Sequence, residues 1–73
     1  MNMANNKMAV FIGTNLHRKR ITLGLTQAQV ATAAKTNVNY YAKLERGEAV
    51  PSLAMLEKVA KALKVTSSDL LPF

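Results

Sequence analysis

Residues 26–47, TQAQVATAAKTNVNYYAKLERG, limit this chain's fold more than any other stretch. They hold two helix-start signals and one stop. Thr26-Gln27-Ala28-Gln29 fits a capping box, in which the threonine hydroxyl and the later glutamine side chain each take an orphan backbone amide. Val30, Ala31 and Ala34 then share an inner face. Asn37 is a strong N-cap type, and Gly47 is a usual residue just past a helix end. Only the turn Lys35-Thr36 separates the two helices. Both are short, and the first is alanine-rich, as a closely crossed helix must be.

The flanks repeat the helical pattern. A first helix is expected over about residues 10–22, with Ile12, Leu16 and Leu23 on one stripe and Gly24 as its stop. A fourth follows the Pro51-Ser52 break. Its stripe is Leu53, Leu56, Val59, Ala60 and Leu63, and Glu57, Lys58, Lys61 and Lys64 lie opposite, with Glu57 and Lys61 at the favourable spacing. A last turn begins near Thr66 with Asp69 as its capping partner. The expectation is an all-α, compact five-helix domain over residues 10–73, preceded by a flexible tail at 1–9. Two helices joined by so short a turn describe a helix-turn-helix. A plain helical bundle is the alternative that pattern leaves open.

Seventy-three residues allow one domain. Ten Lys and Arg against four Asp and Glu give a formal charge of +6, which points to an anionic polymer, most commonly nucleic acid. With no cysteine and one histidine, His17, a structural zinc site is not expected. No nucleophile–base set or glycine-rich phosphate loop is evident, so no enzyme activity and no cofactor are expected. The chain has no apolar run of membrane-spanning length and no signal-peptide pattern. A cytoplasmic protein with no membrane association is therefore expected. There is no room for a ligand-sensing domain, so no small-molecule ligand is expected.

Helix three divides into faces. Taking Asn39 as zero and about 100° per residue, Lys43 lies near 40° and Arg46 near 340°, on the outer side. Tyr41 near 200°, Leu44 near 140° and Glu45 near 240° lie inward, with Val38 and Tyr40 on opposite flanks. An inward carboxylate without a cation costs several kcal/mol. Arg20, on the inner stripe of helix one, is the expected partner, in a bidentate pair. The outer face suits base edges: asparagine pairs with adenine, lysine donates to guanine, and valine touches a thymine methyl. Asn37 caps the helix and points its amides at a phosphate. Tyr40, on the shoulder, suits a phosphate or sugar.

The stretch from Leu25 to Val65 resembles the helix-turn-helix domain of lambdoid phage repressors, Cro proteins and XRE-type bacterial regulators. Within it, Leu25-Thr26-Gln27, Leu44-Glu45-Arg46-Gly47 and Pro51-Ser52-Leu53 stand at the family spacing, and KRITLGLTQAQ looks like the phage 434 branch. The likeness covers roughly residues 11–71. It implies a lambda-repressor-like domain that places its recognition helix in the DNA major groove. It also implies roles: Val38, Asn39 and Lys43 read bases, while Gln27, Asn37, Tyr40 and Arg46 meet the backbone, with Gln27 also buttressing the recognition helix. Arg20 and Glu45 match a structural ion pair. Lys35 departs from the family's usual turn glycine, which means either left-handed strain or an added phosphate contact. Tyr41 stands where a smaller aliphatic residue is common.

The resulting expectation is a DNA-binding transcriptional regulator, a repressor in character, bacterial or phage-encoded. It would bind a palindromic operator in double-stranded DNA as a homodimer. Leu70, Leu71 and Phe73 are the expected dimer contact. The alternative is an antitoxin or another protein-interaction module of a toxin–antitoxin or restriction–modification control system that also binds DNA.

Overall fold

Local capping sets most of the element boundaries. In the computed structural model, which describes residues 3–71, the elements are α1 (Met3–Thr22), α2 (Gln27–Ala33), α3 (Val38–Glu45), α4 (Leu53–Ala62) and a 3-10 turn (Ser67–Leu70). No strand occurs among the described residues. The Thr26 hydroxyl accepts from the Gln29 amide at 3.0 Å, and the Gln29 side chain accepts from the Thr26 amide at 2.8 Å. Asn37 Oδ1 accepts from the amides of Asn39 and Tyr40 at 2.7 and 3.3 Å. Ser52 Oγ accepts from the Met55 amide at 3.1 Å. Each such cap contributes about 1 kcal/mol.

Three expectations change. The fifth helix is a single 3-10 turn. Its hydrogen bonds span three residues, as from the Leu71 amide to the Ser68 carbonyl at 3.3 Å, and only four residues take part. The expected tail is largely helical, because α1 begins at Met3 rather than near residue 10. No proline or glycine precedes Gly13, and alanine, lysine and methionine all favour helix. Ala9, inside the expected tail, is buried. Finally, two stripe leucines face solvent. Leu23 lies beyond the end of α1, where the helical period no longer places it, and Leu53 stands in the first turn of α4 at 67% exposure.

The core joins Ile12 and Leu16 of α1, Val30, Ala31 and Ala34 around α2, Tyr41 and Leu44 of α3, four α4-side residues and Leu70. The four are Leu56, Val59, Ala60 and Leu63. α3 packs on both α1 and α2, and α2 also packs on α4. Gly13 makes the first of these contacts possible. A Cβ there would meet the carbonyl oxygens of Leu44 and Glu45, the latter at 2.7 Å. The α3 backbone thus lies directly against α1, with no side chain between them.

The turn between α2 and α3 is closed by left-handed backbone at Lys35, with φ of 57°. The Thr36 amide donates back to the Ala31 carbonyl at 2.9 Å. A non-glycine residue in this conformation carries roughly 1 kcal/mol of strain. Lys64 ends α4 in the same way, with φ of 61°.

Candidate nucleic-acid interface

α3 is held from behind by a small polar cluster. Arg20 Nε donates to Glu45 Oε2 at 2.6 Å and Nη2 to Oε1 at 3.0 Å, a bidentate pair between α1 and α3. The third guanidinium nitrogen, Nη1, donates to the Leu25 carbonyl at 2.9 Å, which ties in the loop before α2. Gln27 Nε2 donates to Glu45 Oε1 at 3.1 Å. One carboxylate therefore joins α1, α2 and α3. Its side chain is 3% exposed, and that of Arg20 is 11% exposed.

Burial alone would push the Glu45 carboxyl up. The hydrogen bonds to its charged form, led by Arg20, outweigh that and lower its pKa to about 2. Arg20 is raised in turn, chiefly by its hydrogen bond to Glu45. The Tyr41 hydroxyl lies beside this pair. Burial raises it, and the adjacent Glu45 charge raises it further. It is fully buried and has no hydrogen-bond partner of good geometry. The inward placement of Tyr41 is met, but its complete enclosure also keeps the hydroxyl from solvent.

His17 was not foreseen in this cluster. Its Nδ1 stands 3.1 Å from Glu45 Oε1 and 3.2 Å from Arg20 Nη2. A proton on Nδ1 serves the first contact, and a bare nitrogen serves the second. The contact crosses from α1 to α3, and its one sequence signal is the i, i+3 spacing that sets His17 beside Arg20 on α1.

The other side of α3 is open. Val38, Asn39, Lys43 and Arg46 are exposed, and Val38 shows 39% of its surface. Tyr40 is half-buried and packs on the edge of the core. Asn37 is exposed, but its Oδ1 is committed to the cap, which leaves the side-chain amide group for a ligand. Lys35 is exposed at the turn just before it. Gln27 is half-buried at the start of α2. Arg46 pairs with Glu48, Nε to Oε2 at 2.9 Å and Nη2 to Oε1 at 3.2 Å. Sequence reasoning missed this pair, because an i, i+2 spacing does not meet on a helix.

The expected dimer residues separate. Leu70 is fully buried in the core of its own chain, so its side chain has no surface for a partner. Leu71 is half-buried, and it lines a groove with Met8, Val50 and Leu53. Phe73 lies outside the described residues.

Among the described residues, no group of three or more His, Cys, Asp or Glu side chains is placed to hold a metal ion. No described helix is long and apolar enough to cross a membrane.

The sequence and fold are similar to those of known proteins. The chain is 35% identical over 63 residues to an uncharacterised HTH-type transcriptional regulator of Sinorhizobium fredii, covering 86% of this chain and 82% of that one. It is also 36% identical over 58 residues to a "Probable translation initiation factor IF-2" of Methanocaldococcus jannaschii, but spans only 4% of that protein's length. The crystal structure of a restriction-modification controller protein from Aeromonas hydrophila superposes with a TM-score of 0.83 at 30% identity, covering 86% of this chain and 96% of that one. The helix-turn-helix family model matches residues 16–70. With an outward-facing second helix pinned from behind by Glu45, the chain belongs to the XRE-type helix-turn-helix (HTH_3) family of DNA-binding transcription regulators.

Proposed function

We propose that this protein is a sequence-specific repressor that binds a palindromic operator in double-stranded DNA as a homodimer. One observation carries the reading: Asn39 and Lys43 stand one turn apart on the open face of a helix whose opposite face is locked by a buried ion pair. That geometry holds two base-reading side chains in fixed register. Val38, near the helix start, meets a thymine methyl group. Gln27, Asn37, Tyr40, Lys35 and Arg46 ring this face and contact phosphates and sugars. They orient the helix but carry no sequence information themselves.

A single module of this size reads few base pairs. Two copies on half-sites about 10 bp apart supply useful specificity. Leu71 and the exposed Val50 and Leu53 beside it form the apolar surface that suits the contact between copies. The protein acts in the cytoplasm, by occupying a promoter.

Selection from random duplex DNA at about 150 mM salt tests this, since nonspecific electrostatic binding is weakened there. A symmetric consensus is expected. Recovery of sequences with no consensus would sink the reading.

A second reading, control of a restriction–modification operon, draws on the restriction-modification controller of A. hydrophila, which this chain matches over 96% of that protein's length. A restriction or methyltransferase gene beside this one, with the selected operator upstream of it, would favour it.

A further inference from the structure

Arg46, at the end of the recognition helix, is already engaged. Its guanidinium grips Glu48 with two hydrogen bonds, 2.9 and 3.2 Å long. In a continuing helix, side chains two residues apart diverge by about 200° and could not meet. Gly47, with φ of 74°, reverses the chain between them. A Cβ at Gly47 would also press on Val10 of α1 at 3.1 Å, so the reversal is built into the packing of α1 against this turn. The pair is open to solvent, with side chains 53% and 52% exposed.

The chain has four carboxylate side chains. Glu45 is buried with Arg20, and Asp69 caps the 3-10 turn. Glu57 is exposed on α4. Glu48 alone stands beside the cations of the open α3 face. Its carboxyl is held below the usual range, first by the hydrogen bond from Arg46 and in smaller part by the charge of Lys43.

Building on the DNA-binding reading above, we propose that Glu48 is an internal phosphate mimic that competes with DNA for Arg46. Carboxylate and phosphate both present two oxygens to the planar guanidinium fork, so one can replace the other. On binding, Arg46 exchanges Glu48 for a backbone phosphate. The released carboxylate then stands close to the polyanion and opposes it. Both effects lower affinity by the same factor on every sequence, because phosphates carry no sequence information. Glu48 thus sets the absolute affinity of the recognition helix and leaves its base preference alone.

The test is a set of fluorescence-anisotropy titrations of wild type, Glu48→Gln, Arg46→Ala and the double variant. Each is run on the selected operator and on a random duplex at several salt concentrations. Glu48→Gln is expected to tighten binding to both DNAs by roughly three- to tenfold near 100 mM salt, with a steeper salt dependence. In the Arg46→Ala background the gain should shrink to the smaller part owed to charge repulsion alone, and melting temperatures should not move between wild type and Glu48→Gln. Unchanged or weaker binding by Glu48→Gln overturns the proposal. So does an equal gain when Arg46 is absent, which would make Glu48 a general repulsive charge. If wild type binds no DNA, the DNA-binding reading falls together with this one. If wild type binds but Glu48→Gln does not differ, only this one falls.

Discussion

Glu45 shows how much one side chain carries here. Its carboxylate accepts from Arg20 and Gln27 and stands within reach of His17, so it links three helices. Truncating it leaves the Arg20 charge at the protein interior without its partner, a loss of about 3–5 kcal/mol. A domain of this length has a total stability of only about 4–11 kcal/mol. Glu45→Ala should therefore lower the urea midpoint sharply, while any DNA binding that survives keeps the wild-type base preference. The folded pKa of about 2 lies below the unfolded value, so the stabilisation is full above the unfolded pKa and is lost as pH falls. Wild type should lose about 3 kcal/mol through this group between pH 5 and pH 2. Urea unfolding at stepped pH checks this, and Glu45→Gln should show a flatter profile over the same window.

Lys35 poses a different question at the same scale. Its left-handed backbone is strained, and its side chain is proposed to meet a phosphate. Lys35→Gly separates the two. Thermal or urea unfolding should show a gain of roughly 0.5–1 kcal/mol from the relieved backbone. DNA binding should weaken alike on all sequences, with the salt slope shallower by about 1. Lys43→Ala should instead relax preference at a single base position in a selection, because its contact is to a base edge.

At the scale of elements, the α1–α3 contact governs how the recognition helix is presented. Gly13 leaves no side chain between α1 and the Leu44–Glu45 carbonyls. In an exposed helix, Gly→Ala would stabilise by about 1 kcal/mol. Here the added methyl must push two backbone carbonyls aside. Gly13→Ala should destabilise by roughly 1–3 kcal/mol, and Gly13→Val by more. Denaturant titration reads this directly, and a stabilised Gly13→Ala would show that α3 does not lie this close to α1. The α2–α3 pair was legible in the sequence because its signals are local. The capping box at Thr26, the Asn37 cap and the Gly47 stop each act within a few residues. The same holds for the inner face of α3, where the period alone turns Tyr41, Leu44 and Glu45 inward. Leu23 and Leu53 were not legible. Leu53 obeys the period and Leu23 only extends it past the end of α1, and at a helix end the neighbouring elements no longer cover them.

At the scale of the molecule, the +6 charge, the open α3 face and the apolar groove must act together. If Leu53 and Leu71 form the contact between copies, Leu53→Asp should abolish it without unfolding the chain, since Leu53 is 67% exposed. Light scattering should then give half the wild-type mass. Operator binding should become weak and lose its dependence on a paired half-site, while the melting temperature of the monomer holds. An unchanged mass would place the contact elsewhere.

The order of the main helices, the caps of α2 and α3, the outward placement of Asn39 and Lys43, and the need for a cation near Glu45 can all be read from the sequence. These follow from interactions within a turn or two of chain, or from the energetic impossibility of an unpaired buried charge. The rest came from the tertiary structure. Its packing put Gly13 beneath the end of α3, brought His17 to Glu45, closed Leu70 into the core, and left the Tyr41 hydroxyl without a partner. Those contacts depend on how close and at what angle the helices cross, and neither quantity is written in the spacing of residues along any one of them.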